Sequence, residues 1–88
     1  MPRRRISAAR PLGPGVLHVE FSTGEARLFD TAPYQTSTFF RRLADPAYFA
    51  QVRVVDGTVT WPDGHDFDPG TVYIRGRAVP AGPSGPSA

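Results

Sequence analysis

The dipeptide Asp56-Gly57, set between "VRVV" and "TVTW", constrains this chain more than any other feature. A two-residue type I′ turn needs φ > 0 at both central positions, and Asp-Gly is among the few pairs that tolerate it. The spacing predicts an antiparallel hairpin in which Val55 faces Thr58, Val54 faces Val59, Arg53 faces Thr60 and Val52 faces Trp61. Side chains alternate across a strand. Val52, Val54, Val59 and Trp61 therefore form a buried face, and Arg53, Val55, Thr58 and Thr60 a wetter one.

A second hairpin is predicted from "VLHVEF-STGE-ARLFD", with its turn centred on Thr23 and Gly24. With those two residues as the loop, Phe21 pairs with Ala26, Glu20 with Arg27, Val19 with Leu28 and His18 with Phe29. Leu17, Val19, Phe21, Ala26 and Leu28 then share the inner face, while Phe29 joins Val55 on the outer one. Glu20 and Arg27 become a cross-strand charge pair worth roughly 0.2–1 kcal/mol.

Between the hairpins, "STFFRRLADPAYFAQ" predicts two short helices. Ser37 caps the first, which turns Phe39, Phe40 and Leu43 inward and Arg41 and Arg42 outward. Asp45 caps the second, with Pro46 at the first helical position, where its missing N–H costs nothing. That helix brings Phe49 and Tyr48 to the core. Ahead of the first hairpin, "RISAARPL" adds an edge strand whose pairing ends at Pro11. The expected fold is α+β: a small, mainly antiparallel sheet of two hairpins plus an N-terminal edge strand, with two short helices between the hairpins on one face.

At 88 residues the chain makes one small domain, near the size where a single core only just suffices. It has no cysteine, so neither a disulfide nor a thiolate zinc site can fasten it. All of its basic residues are arginine, which with the abundant Ala, Gly and Pro points to GC-rich coding. Arginine is then the default cation here and not by itself a sign of phosphate geometry. The net charge of +2 rests on Arg3, Arg4 and Arg5; without those three the body carries −1. The expected organisation is a flexible basic arm over 1–5, a folded body over 6–77 and a disordered Pro/Gly/Ser tail over 78–88. No segment approaches the roughly 20 apolar residues of a membrane helix. The start of the chain carries no apolar run of a secretory signal, so a cytoplasmic location is expected.

The stretch "TWPDGHDFDPGTVY" draws attention for its Asp63, His65, Asp66 and Asp68. The spacing fails a calcium loop, which needs oxygen ligands at alternate positions and a glutamate at the twelfth. Zinc would want more histidine or any cysteine. Turn chemistry accounts for the same residues: Pro62-Asp63-Gly64 reverses the chain, Asp68 caps a helical turn starting at Pro69, and Asp66 can accept from nearby amides. No catalytic, cofactor-binding or metal-binding residue is expected. Ser22, His18 and Asp30 cluster near one hairpin, but no oxyanion motif accompanies them.

Taken together, "RISAARPL", "VEFSTGEARLFD", the F-x-x-L-x-D-P-x-x-F rhythm from Phe40 to Phe49 and "VTWPDGHDFDPGTVY" resemble domain-of-unknown-function family 2442, a family of small bacterial proteins. The likeness runs from about Arg5 to Tyr73. It implies no enzymatic activity. It implies partnership in two-gene modules of toxin–antitoxin type, with some members joined to a helix-turn-helix domain that this chain lacks. The family often has a small residue where this chain has His65.

The expectation for function is thus a non-enzymatic interaction domain, antitoxin-like or accessory, that binds a protein partner or forms a homo-oligomer. Trp61, Asp63, Asp66, Arg41 and Arg42 are the candidate partner-binding residues, because aromatics and arginines dominate interface energetics. The alternative is a nucleic-acid-associated regulator in which Arg3, Arg4, Arg5 and Arg10 neutralise phosphates.

Overall fold

The computed structural model describes residues 5–79. The chain runs β1 (Ile6–Gly13), β2 (Val16–Phe21), β3 (Ala26–Asp30), two 3₁₀ turns (Ala32–Tyr34 and Phe40–Ala44), α1 (Pro46–Phe49), β4 (Arg53–Val55), β5 (Thr58–Thr60), β6 (Asp66–Phe67), α2 (Pro69–Arg75) and β7 (Arg77–Ala78). It is a mixed fold of antiparallel sheets and short helices. The strands divide between two sheets instead of the single one expected, in the orders β1-β2-β3-β7 and β4-β5-β6. The two-residue strands β6 and β7 complete them; both are too short to leave an alternating pattern.

The Asp56-Gly57 hairpin has the predicted register, Arg53 with Thr60, Val54 with Val59 and Val55 with Thr58. Asp56 sits at φ 53° and Gly57 at φ 77°, both left-handed as a type I′ turn demands. The other hairpin is shifted by one residue. Leu17 pairs with Phe29, His18 with Leu28, Val19 with Arg27 and Glu20 with Ala26. The cause lies in the loop, which holds three residues and not two. The Phe21 amide donates to the Glu25 carbonyl at 2.8 Å, the Gly24 amide donates back to Phe21 at 2.9 Å, and Gly24 takes φ 95°. This is the three-residue loop closed by a left-handed glycine.

The slip inverts β3. Phe29 turns inward and is fully buried, while Leu28 and Ala26 turn to the outer face. Glu20 lies opposite Ala26, so the expected Glu20–Arg27 pair does not form. Arg27 instead faces inward, its guanidinium 3.9 Å from the centre of the Tyr73 ring.

The same loop recurs between β5 and β6. The Trp61 amide donates to the His65 carbonyl at 2.9 Å, the Gly64 amide to Trp61 at 3.1 Å, and Gly64 takes φ 94°. Phe21-Ser-Thr-Gly-Glu25 and Trp61-Pro-Asp-Gly-His65 are therefore two copies of one device. In each, a buried aromatic opens the loop and a polar residue closes it.

β1 is an edge strand as expected, but its pairing runs past Pro11 to Gly13, with irregularities at either end. Its start ties the two sheets together: the Ile6 amide donates to the Gly57 carbonyl at 3.1 Å, and the Ser22 amide to the Arg5 carbonyl at 2.7 Å. Arg5, placed in the arm by sequence, is held to the body by these bonds. At the other end, β7 pairs with β3 and the Val79 amide donates to Ala26 at 3.2 Å. Ala78 and Val79, placed in the tail by sequence, are thus bonded to β3. The remaining arm and tail residues, 1–4 and 80–88, lie outside the described residues.

Both sheets and both helices supply one core: Ile6, Leu17, Val19, Phe21, Phe29, Leu43, Tyr48, Phe49, Val59, Trp61, Phe67 and Val72. Phe29 from the first sheet meets Phe67 from the second edge-on at 4.9 Å. Each large apolar side chain removed from water contributes roughly 1.5–3 kcal/mol. Without disulfides, this joint burial is what holds the sheets together.

Candidate functional site

Asp45 caps α1 by accepting from the Ala47 amide at 3.0 Å, as its position before Pro46 predicts. The four-residue helix then presents Tyr48 and Phe49 inward. The Pro62–His65 loop docks on it. Trp61 stacks on Phe49 at 5.7 Å and its indole N–H donates to the Phe49 carbonyl at 3.0 Å. The Asp63 amide donates to the Tyr48 phenol oxygen at 3.0 Å, and that oxygen lies 2.8 Å from Nδ1 of His65. Nε2 of His65 bonds the carbonyl of Phe39, which begins the turn carrying Phe40, Arg41, Arg42 and Leu43.

These bonds admit one complete donor–acceptor assignment. The phenol accepts from the Asp63 amide and donates its own proton to Nδ1; Nε2–H then donates to the Phe39 carbonyl. Every polar atom of the His65 ring and of the phenol is used. His65 is 4% exposed, and its carbonyl also accepts from the Thr60 hydroxyl at 3.2 Å. Burial raises the Tyr48 phenol above its ordinary value, and the Arg42 guanidinium pulls it the other way. Arg42 lies 4.4 Å over the Tyr48 ring and pairs with the Asp63 carboxylate. Both charged groups are about half exposed, so this pair contributes at most about 1 kcal/mol.

Trp61 takes the place on a buried face that its hairpin predicts, which removes it as a partner anchor, and Phe39 does not take its expected place. Trp61, a candidate partner anchor, is 2% exposed and is core. Phe39, expected inside, is 55% exposed. The Ser37 hydroxyl accepts from the Phe40 amide at 3.1 Å, but the N-cap position expected of it is held by Phe39, which has no side-chain cap. The 3₁₀ turn starts at Phe40, which takes the inner place, stacked on Phe67 at 5.0 Å. Phe39 lies outside with its ring 4.4 Å from that of His65.

The structure therefore brings Arg42 and Asp63 together, with Arg41 exposed beside them. Asp66 is separate. It lies on β6 opposite Thr60, on the outer face of the second sheet in one row with Arg53, and its carboxylate takes no backbone amide among the described residues. Asp68 caps α2, accepting from the Thr71 amide at 3.2 Å and hydroxyl at 2.7 Å. The Thr71 hydroxyl, chiefly, holds the Asp68 carboxyl below the usual carboxylate range. Among the described residues no three His, Asp or Glu side chains gather around a common point that a metal ion could occupy. Of the basic set, Arg3 and Arg4 lie outside the described residues. Arg5 packs against Gly57, and Arg10 lies on the outer face of the first sheet opposite His18. No helix among the described residues is long and apolar enough to cross a membrane.

Phe39 and the Tyr48–His65 bond were not singled out as site features from sequence. One signal existed: a histidine closing an aromatic-x-x-Gly loop stands where Glu25 stands in the first hairpin.

Fold and site define a small two-sheet α+β domain whose polar loop is fastened from within and whose exposed Phe39 leads into the turn that carries Arg41 and Arg42. Residues 6–78 match the model of the family described as Protein of unknown function (DUF2442), and the chain belongs to that family. No curated protein and no solved structure matches it.

Proposed function

We propose that this protein is a non-enzymatic, cytoplasmic interaction module, antitoxin-like or accessory, that binds a cognate small protein through Phe39, Arg41, Arg42 and the Asp63 loop. The observation that carries this reading is Phe39: a large aromatic, 55% exposed, backed by the His65 ring and fixed at its own carbonyl by His65. An anchor already held in place loses little freedom on binding, so more of its burial becomes affinity. Arginines beside it favour a partner whose apolar pocket has an acidic rim. Catalysis by the same cluster finds no support, because a general base needs a lone pair within reach of substrate, and that of His65 Nδ1 accepts from the Tyr48 phenol while the phenol oxygen accepts from the Asp63 amide.

Co-expression with the product of the adjoining reading frame tests the proposal. The partner is expected to co-purify with the natural chain and to be lost from Phe39→Ala, with a smaller loss from Arg41→Glu. Equal recovery with Phe39→Ala, or no recovery with the natural chain, would refute it.

A further inference from the structure

A different surface carries a second kind of contact. The inner face of the four-stranded sheet supplies Ile6, Leu17, Val19, Phe21 and Phe29 to the core, and the outer face supplies none of the core residues. Across that outer face run two adjacent rows. Arg10, His18, Leu28 and Arg77 stand opposite one another in a continuous line over all four strands. Two residues along, Ala8, Glu20 and Ala26 form the next line. One row is long side chains and the other mostly methyl groups. A hollow of about 200 Å³ opens over the small row, lined by Ala8, Ala9, Arg10, His18 and Glu20. Arg10 and Glu20 are diagonal neighbours, yet neither makes a side-chain hydrogen bond or ion pair among the described residues.

We propose that this face is the contact between two copies of the chain, related by a two-fold axis parallel to the sheet and midway between the two stacked sheets, running across the strands and between the rows. That operation lays each long row on the other copy's small row. Arg10 enters the hollow over Ala8 of the second copy, His18 covers its Glu20 and Leu28 covers its Ala26. Glu20 then lies within reach of both His18 and Arg10 of the second copy, and the arrangement repeats by symmetry. Stacked sheets pack roughly 10 Å apart with strands near alignment, and large-on-small rows are what such packing needs to interdigitate. At ~4.8 Å between strands and ~3.4 Å per residue, the face offers about 400 Å² of footprint per copy. That is below the ~800 Å² per partner of a standard interface, so the dimer is weak and concentration-dependent.

Sedimentation of the full chain from micromolar to millimolar concentration reads this out. The natural chain is expected to pass from monomer to dimer. Glu20→Arg should raise the midpoint by about tenfold or more, a change of ~1.4 kcal/mol. The double variant Arg10→Glu/Glu20→Arg should return it toward the natural value, because the pairing is reversed and not removed. Ala8→Arg fills the hollow on an exposed strand and should also abolish the dimer, with circular dichroism verifying the fold of each variant. A natural chain that stays monomeric at millimolar concentration overturns the proposal. So does a Glu20→Arg midpoint equal to the natural one, or a double variant no better than Glu20→Arg, since the copies would then meet elsewhere or not at all. None of these substitutions touches the Phe39 patch, so capture of a cognate protein is unaffected by the result.

Discussion

The phenol oxygen of Tyr48 stands 2.8 Å from Nδ1 of His65, and this contact joins α1 to the loop that closes the second sheet. The same oxygen accepts the Asp63 amide at 3.0 Å. Removing it by Tyr48→Phe leaves the ring in place but strands a buried imidazole nitrogen and a loop amide. An unsatisfied buried polar group costs about 1–3 kcal/mol. Urea denaturation is expected to show a loss in that range with an unchanged slope. A loss below a few tenths of a kcal/mol would mean that the bond is not formed.

The register of the first hairpin separates two neighbours on β3. Phe29→Ala should cost about 3–5 kcal/mol, the usual penalty for emptying a buried aromatic site. Leu28→Ala, on the outer face, should cost less than about 1 kcal/mol. Chemical or thermal unfolding of both variants decides the matter; the reverse order would restore the two-residue loop.

Gly57 combines a left-handed backbone with a close neighbour. A Cβ there would lie 3.1 Å from Cβ of Arg5, at φ 77°. Gly57→Ala is expected to cost about 1–2 kcal/mol from the left-handed conformation alone. The Ile6–Gly57 bond should loosen with it, seen as faster exchange of the Ile6 amide.

Asp68 contributes through its cap on α2. Asp68→Ala should cost about 0.5–2 kcal/mol near neutral pH. Its folded carboxyl is held below the ordinary value of 3.8, so the unfolded chain binds the proton more readily. The charged cap's contribution is therefore complete above that value and is lost as pH falls through the folded one. The stability gap between natural chain and variant should shrink on acidification below about pH 4. A gap that stays constant, or widens, would contradict the cap.

How far the sequence speaks depends on whether a segment has one reading or two. Asp56-Gly57 has one, because a two-residue left-handed turn leaves no choice of register, and the observed ladder has that register over three of the four expected pairs, ending before Val52 and Trp61. Ser22-Thr23-Gly24-Glu25 closes equally well as a two- or a three-residue loop. "ARLFD" cannot break the tie, since Ala26 and Leu28 make an apolar face in one phase and Phe29 in the other. The caps at Asp45 and Asp68 were legible because Asp-Pro at a helix start is a local matter. The fate of Phe39 and His65 was not. It depends on which segment of the chain packs against them, and α1 and the Pro62–His65 loop are brought together by tertiary contacts and not by local sequence.

The central claim is that the polar loop after Trp61 is fastened from within, leaving Phe39 as the face offered to others. The ring nitrogens of His65, observed by ¹⁵N NMR at neutral pH with and without Zn²⁺ or Mg²⁺, test it most directly. The account predicts a neutral ring protonated at Nε2, an Nδ1 hydrogen-bonded to a slowly exchanging Tyr48 hydroxyl proton, and no movement on adding either ion. An Nδ1 that carries the proton, or a resonance that shifts on metal addition while the fold persists, would contradict it.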